Sequence, residues 1–194
     1  MVLPRDRGWH EPCASWGCPQ VVLNRGIRTS SGQYYVVIGA DDCFHEKTIE
    51  NILRDLNAYP ELDLLIGNVE SNNQLIKIRH GMKFLYGARA FVASHSVGCV
   101  FNKSLHIKYG YYSNKYPIFA DTYFIKLIFD APSLRFKYSS DVYGSFSSTG
   151  ISSTNRLRTQ CEFAHIQLTT ERFKYFQVLI FFLRLIRALA RNDK

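Results

Sequence analysis

No stretch of this sequence stays apolar for the ~20 residues that a membrane-spanning helix needs. The longest uncharged run in its most hydrophobic region, Tyr175–Leu183, falls far short. Zinc-type cysteine spacing is also missing. Cys13, Cys18, Cys43, Cys99 and Cys161 are odd in number and match no metal pattern. They are expected to be reduced thiols in a cytosolic chain. Met1–Arg7 has neither an apolar core nor a small-residue cleavage site, so no export signal is expected. Acidic residues are scarce, with 16 Asp and Glu against 24 Lys and Arg, a net charge of +8. That excess favours anionic partners such as nucleotide phosphates or anionic lipid. Nucleic acid is not an expected partner, because the basic residues are scattered and no recognition motif is present.

What is present is a core-forming composition. Hydrophobic residues make up 46%, with 14 Phe and 12 Tyr, in a 194-residue chain long enough for one packed domain. Residues 1–23 hold Pro4, Pro12, Pro19, Gly8 and Gly17 without periodicity and read as irregular. Gln33–Gly39 is β-branched and aromatic and reads as a buried, central strand that runs into Asp41-Asp42. His45–Tyr59 carries Ile49, Ile52, Leu53 and Leu56 at helical spacing and is closed by Pro60. Strands are predicted at Leu62–Val69, Gln74–Arg79, Val97–Asn102, Leu134–Tyr138 and Val142–Ser147. Helices are predicted at Ala120–Phe129, Thr154–Leu168 and Thr170–Arg191. Early alternation of strand and helix gives an α/β class with a mixed sheet flanked by helices.

Asp41 and Asp42 carry the most chemistry. In open α/β sheets ligands collect beyond the carboxyl ends of strands. Two adjacent carboxylates there suit Mg²⁺ or Mn²⁺, which takes oxygen ligands and bridges protein to substrate phosphates. Asp pairs also fill turns and cap helices, and Asp42 is placed to cap the helix that follows.

The wider context resembles glycosyltransferase family 2, of GT-A fold. The residues that carry the resemblance come in the family's order. Asn24-Arg25-Gly26-Ile27, Ser31-Gly32-Gln33-Tyr34 and Ile38-Gly39-Ala40-Asp41-Asp42 come first. Ser94-His95-Ser96-Val97, Lys103-Ser104-Leu105, Tyr109-Gly110-Tyr111-Tyr112, Tyr116–Asp121 and Gly150-Ile151-Ser152 follow. The resemblance covers residues 24–168 and implies a partial GT-A domain. Its nucleotide-binding βαβ pair, at ~30 residues per unit, is not visible before Asn24. It implies inverting transfer of a sugar from a nucleoside diphosphate sugar to an acceptor hydroxyl, in bacterial cell-surface polysaccharide synthesis. The acceptor would be lipid-linked or a saccharide. The same resemblance gives Asp41 and Asp42 to the metal and nucleotide, with Asp42 the more direct ligand. It makes Asp121 the catalytic base and places His95 at the acceptor pocket. Asp42 and Asp121 are then expected to face one cleft. Asp121 also precedes an apolar helix, where an Asp commonly serves as N-cap. Lys103 and Arg89 read as a solvated basic face. From another class, the alternative is an inactive fragment that serves as a membrane-associated or interaction protein.

Residues 169–194 read as a basic amphipathic helix. Lys174, Gln177, Arg184, Arg187 and Arg191 fall near one stripe of an otherwise apolar segment. Two placements are open: peripherally on the inner membrane face, or docked on protein.

Overall fold

The run Leu64–Ser71 sits at the middle of the sheet, and its composition explains why. Leu64, Leu65, Ile66 and Val69 are all fully buried, so both faces of the strand are covered. A near-continuous apolar strand is stable only under such cover. In a computed structural model, which describes residues 19–94, 96–147 and 156–190, the elements run in this order. Helix α1 (Pro19–Thr29) precedes β1 (Tyr34–Val36), β2 (Cys43–Phe44) and α2 (Thr48–Ala58). Then come β3 (Leu64–Ser71), β4 (Gln74–Leu75), α3 (Lys83–Tyr86) and a 3₁₀ turn at Gly87–Ala90. Strand β5 (Cys99–Asn102), α4 (Ser104–Tyr109), α5 (Ala120–Phe129) and β6 (Phe136–Ser145) follow, and α6 (Arg156–Thr170) and α7 (Lys174–Ala190) close the described chain.

The sheet order is β1-β5-β3-β6-β2, with β4 paired to β3. Only β3 and β6 run parallel; the other pairs are antiparallel. This is the expected mixed α/β sheet flanked by helices. One core cluster gathers Leu64, Ile66 and Phe101 with Phe124, Ile125 and Ile128 of α5, and Ile27 of α1. Leu65 and Val100, pointing the other way by strand alternation, pack with Ile52 of α2 and Tyr143. The sheet is therefore the middle of three layers.

Several expectations are corrected. Gln33–Gly39 is not central: β1 lies at the end of the sheet order and pairs only β5, through Tyr34↔Asn102 to Val36↔Val100. Its residues are half-buried, since no further strand flanks it among the described residues. The two short strands expected from Leu134 to Ser147 are one strand, β6. Its polar middle stays in the sheet because Asn68 Nδ2 donates to the carbonyls of Ser139 and Ser140 across a register shift. Tyr143 of β6 lies over Gly67, where a Cβ would come within 2.3 Å of its ring. The strand from Gln74 stops at Leu75, after a tight turn in which Asn72 and Asn73 both take positive φ. Pro19–Val22 belong to α1 and are not irregular. Pro fits the first helical position, where its missing N–H costs nothing.

Candidate active site

Strand β1 leads the chain outward to the Asp pair. Val37 continues it with a bridge to Ser96, and the Val97 N–H donates to the Val37 carbonyl (2.9 Å). The chain then folds back at Gly39–Asp42. The Asp42 N–H donates to the Gly39 carbonyl (3.2 Å). In return the Gly39 N–H donates to Asp42 Oδ2 (2.8 Å), and the Ser147 N–H donates to Oδ1 (3.2 Å). Two backbone donors thus fix this carboxylate while lone pairs on both oxygens stay available. Asp42 does not cap α2: Lys47 holds that position, and Asp42 closes its own turn.

Gly39 matters here through the space it leaves. A Cβ on it would stand 2.8 Å from Asp42 Oδ2 and 3.1 Å from Asp41 Oδ1. Both carboxylates therefore converge over one backbone position that only glycine leaves clear. Two hard oxygen donors from adjacent residues fit a cation that takes its remaining ligands from phosphate and water. Among the described residues, no group of three or more His, Cys, Asp or Glu side chains is placed to enclose a metal.

Asp121 lies in the first turn of α5 and is half-buried. It is not the N-cap; Phe119 holds that position without a side-chain cap bond. Glu162 of α6 meets the donors at the helix entrance, accepting from the N–H groups of Ile118 (2.8 Å) and Phe119 (3.3 Å). Asp121 sits in the positive field of the helix N-terminus. Its charge reaches Cys99 and Tyr112. Burial pushes both of those groups up, and the negative charge of Asp121 adds to the effect.

A relay of rings that the sequence did not reveal lies beside it. Tyr35 Oη is 2.6 Å from His106 Nε2 and 3.0 Å from Tyr112 Oη, while His106 Nδ1 is 2.9 Å from the Gly110 carbonyl. The carbonyl can only accept, so Nδ1 carries the proton and Nε2 accepts from Tyr35. Burial holds the His106 pKa below its ordinary value, which keeps the ring neutral. Asn24 of α1 clasps the same segment: its amide donates to the Tyr112 carbonyl (2.8 Å) and its carbonyl accepts the Tyr112 N–H (3.0 Å). Two segments read separately in the sequence, around Asn24 and around Tyr112, are thus joined. The available sequence signal was the Tyr109–Tyr112 cluster, which marks an aromatic site but names no partner.

Of the other expected residues, Lys103 donates to the Ser30 carbonyl and so ties a loop. Arg89 lines a cleft of about 410 Å³ with Tyr86, Phe119, Thr122, Phe163 and Arg184 among its walls. His95, Gly150-Ile151-Ser152, Cys13 and Cys18 lie outside the described residues. Val97 is fully buried at φ +57°, a region that costs a β-branched residue about 1–3 kcal/mol.

No family profile matches the chain, and no curated protein matches its sequence. Solved structures do resemble it. The crystal structure of S. aureus TarS 1-349 superposes with a TM-score of 0.54 at 13% identity, over 85% of this chain and 49% of that one. The same segment in complex with UDP-GlcNAc gives 0.55 at 14%, over 85% and 51%. In complex with UDP it gives 0.55 at 14%, over 84% and 49%. The chain thus shares its fold with these structures over most of its length. The chain spans about half the length of these structures.

Proposed function

We propose that the chain carries the metal-binding and acceptor-activating part of a family 2, GT-A glycosyltransferase. The enzyme moves a sugar from a nucleoside diphosphate donor to a hydroxyl of a lipid-linked or saccharide acceptor, with inversion. The observation that carries this reading is the convergence of Asp41 Oδ1 and Asp42 Oδ2 over Gly39. The likeness to a fold crystallised with UDP and UDP-GlcNAc supports a uridine nucleotide as donor.

Asp42, oriented by the Gly39 and Ser147 N–H groups, and Asp41 beside it would hold Mg²⁺ or Mn²⁺. A bound cation there supplies neutralisation of the charge that develops on the departing diphosphate. Asp121 takes the proton from the acceptor hydroxyl as that oxygen attacks the anomeric carbon. The aromatic relay of Tyr35, His106 and Tyr112 keeps the ground beside Asp121 rigid.

The test joins the chain to a family-like nucleotide-binding βαβ pair and measures UDP binding by calorimetry, with Mn²⁺ and with chelator, followed by UDP release from UDP-GlcNAc in the presence of membrane lipid extract. Binding is expected to need the metal and to fall about tenfold or more in Asp42→Asn, the loss of one charged ligand. Asp121→Asn is expected to keep UDP binding and lose transfer. Metal-independent UDP binding that Asp42→Asn leaves unchanged would sink the reading.

A further inference from the structure

Helix α7 is mounted in an unexpected sense. Its polar side faces the protein. Gln177 is buried and donates to the Phe84 carbonyl (2.9 Å), and Arg184 donates to the Leu85 carbonyl while lying 4.5 Å over the Phe163 ring. Ile180 joins them on that inner side. At about 3.6 residues per turn the opposite face is Tyr175, Val178, Leu179, Phe182, Leu183 and Ile186. All six are exposed, from 39% at Val178 to 94% at Tyr175. An unbroken apolar stripe of this length on a surface marks a binding face.

We propose that α7 seats the protein on an anionic membrane surface. The stripe enters the headgroup region, and Lys174 and Arg187, exposed along its two margins, meet lipid phosphates. The inference rests on α7 and not on the carboxylates, so it stands or falls separately from the transfer reaction.

Length and charge decide the occupant. The helix has 17 residues, or about 25 Å at its regular rise, and no described helix is long and apolar enough to cross a membrane. It therefore lies along a surface. Between Arg172 and Arg191 there is no acidic residue. Pairing of two copies through the stripe would set Lys174 and Arg187 of each against like charges with nothing to relieve them. Anionic lipid supplies the missing counter-charge, and the chain's net +8 draws it the same way.

Flotation of the full chain with vesicles tests this. Binding is expected to phosphatidylglycerol–phosphatidylcholine vesicles, far weaker binding to phosphatidylcholine alone, and release as salt rises. Leu179→Glu with Phe182→Glu is expected to cut binding by about tenfold or more, since both side chains leave the lipid. Lys174→Gln with Arg187→Gln is expected to weaken binding and flatten its salt dependence. Circular dichroism establishes that each variant keeps the native fold. Equal binding to neutral vesicles would overturn the proposal, as would binding that survives the double glutamate change. So would a dimer in light scattering that Leu179→Glu dissociates.

Discussion

Helices α5 and α7 are both strongly apolar, yet the protein uses them in opposite ways. Helix α5 turns Ala120, Phe124, Ile125 and Ile128 into the core, and even its one inward charge is matched. Lys126 is 1% exposed and bonds Gln167 Oε1 (2.6 Å) and Glu171. Helix α7 attaches by Gln177, Arg184 and the buried apolar residue Ile180, and leaves Tyr175, Val178, Leu179, Phe182, Leu183 and Ile186 outside. Hydrophobicity alone therefore does not say which side of a helix meets the protein. Part of the decision lies with the carbonyls of Phe84 and Leu85, at the short helix α3: Gln177 and Arg184 of α7 donate to them, and Gln167 of α6 shares the Phe84 carbonyl.

The largest expected effect follows from removing the α5 anchor. Phe124→Ala should cost about 3–5 kcal/mol in urea denaturation, because the ring is fully buried and stacks on His106 (4.5 Å). A cost below about 1 kcal/mol would erase the contrast between the two helices. Next, Lys126→Ala should cost about 3 kcal/mol, since it strands the Glu171 carboxylate. Lys126→Met combined with Glu171→Gln should recover most of that loss.

A smaller effect is set by pH. Burial holds the folded pKa of His106 below its ordinary 6.5. The unfolded chain therefore binds this proton more readily than the folded one. The contribution is complete above pH 6.5 and is lost as pH falls towards the folded value. Melting temperature should drop on acidification through that window, and His106→Gln should flatten the drop. The smallest effect belongs to α7. Leu179→Glu should change stability by no more than about 0.5 kcal/mol, because the side chain is already in water.

Parts of this were legible in the sequence. Ala120–Phe129 forms a helix with the predicted bounds, because its apolar spacing is regular and Pro132 follows. A strand at Leu62–Val69 was legible from its apolar residues, but its central place was not, since that place was expected of Gln33–Gly39. Helix α1 was not, since Pro19 and Gly26 punctuate a segment whose helicity depends on packing Ile27 into the core and on clasping Tyr112. The place of β1 in the sheet was also hidden, because neighbour order is set by partners far along the chain. The Asp41-Asp42 pair announces itself by ending a strand, but the convergence over Gly39 comes from a turn and from Ser147, 105 positions away. The His106 relay joins residues 71 positions apart, and no local pattern encodes that.

Arg184 belongs to two structures at once. It fastens α7 to the body, and its side chain is also part of the wall of the cleft that holds Arg89, Phe119 and Thr122. A single bolt is thus shared between the mount and the chamber. Any pull that lifts α7 from its seat also removes masonry from the cleft beside α5, so the chamber keeps its shape only while the mount is fastened.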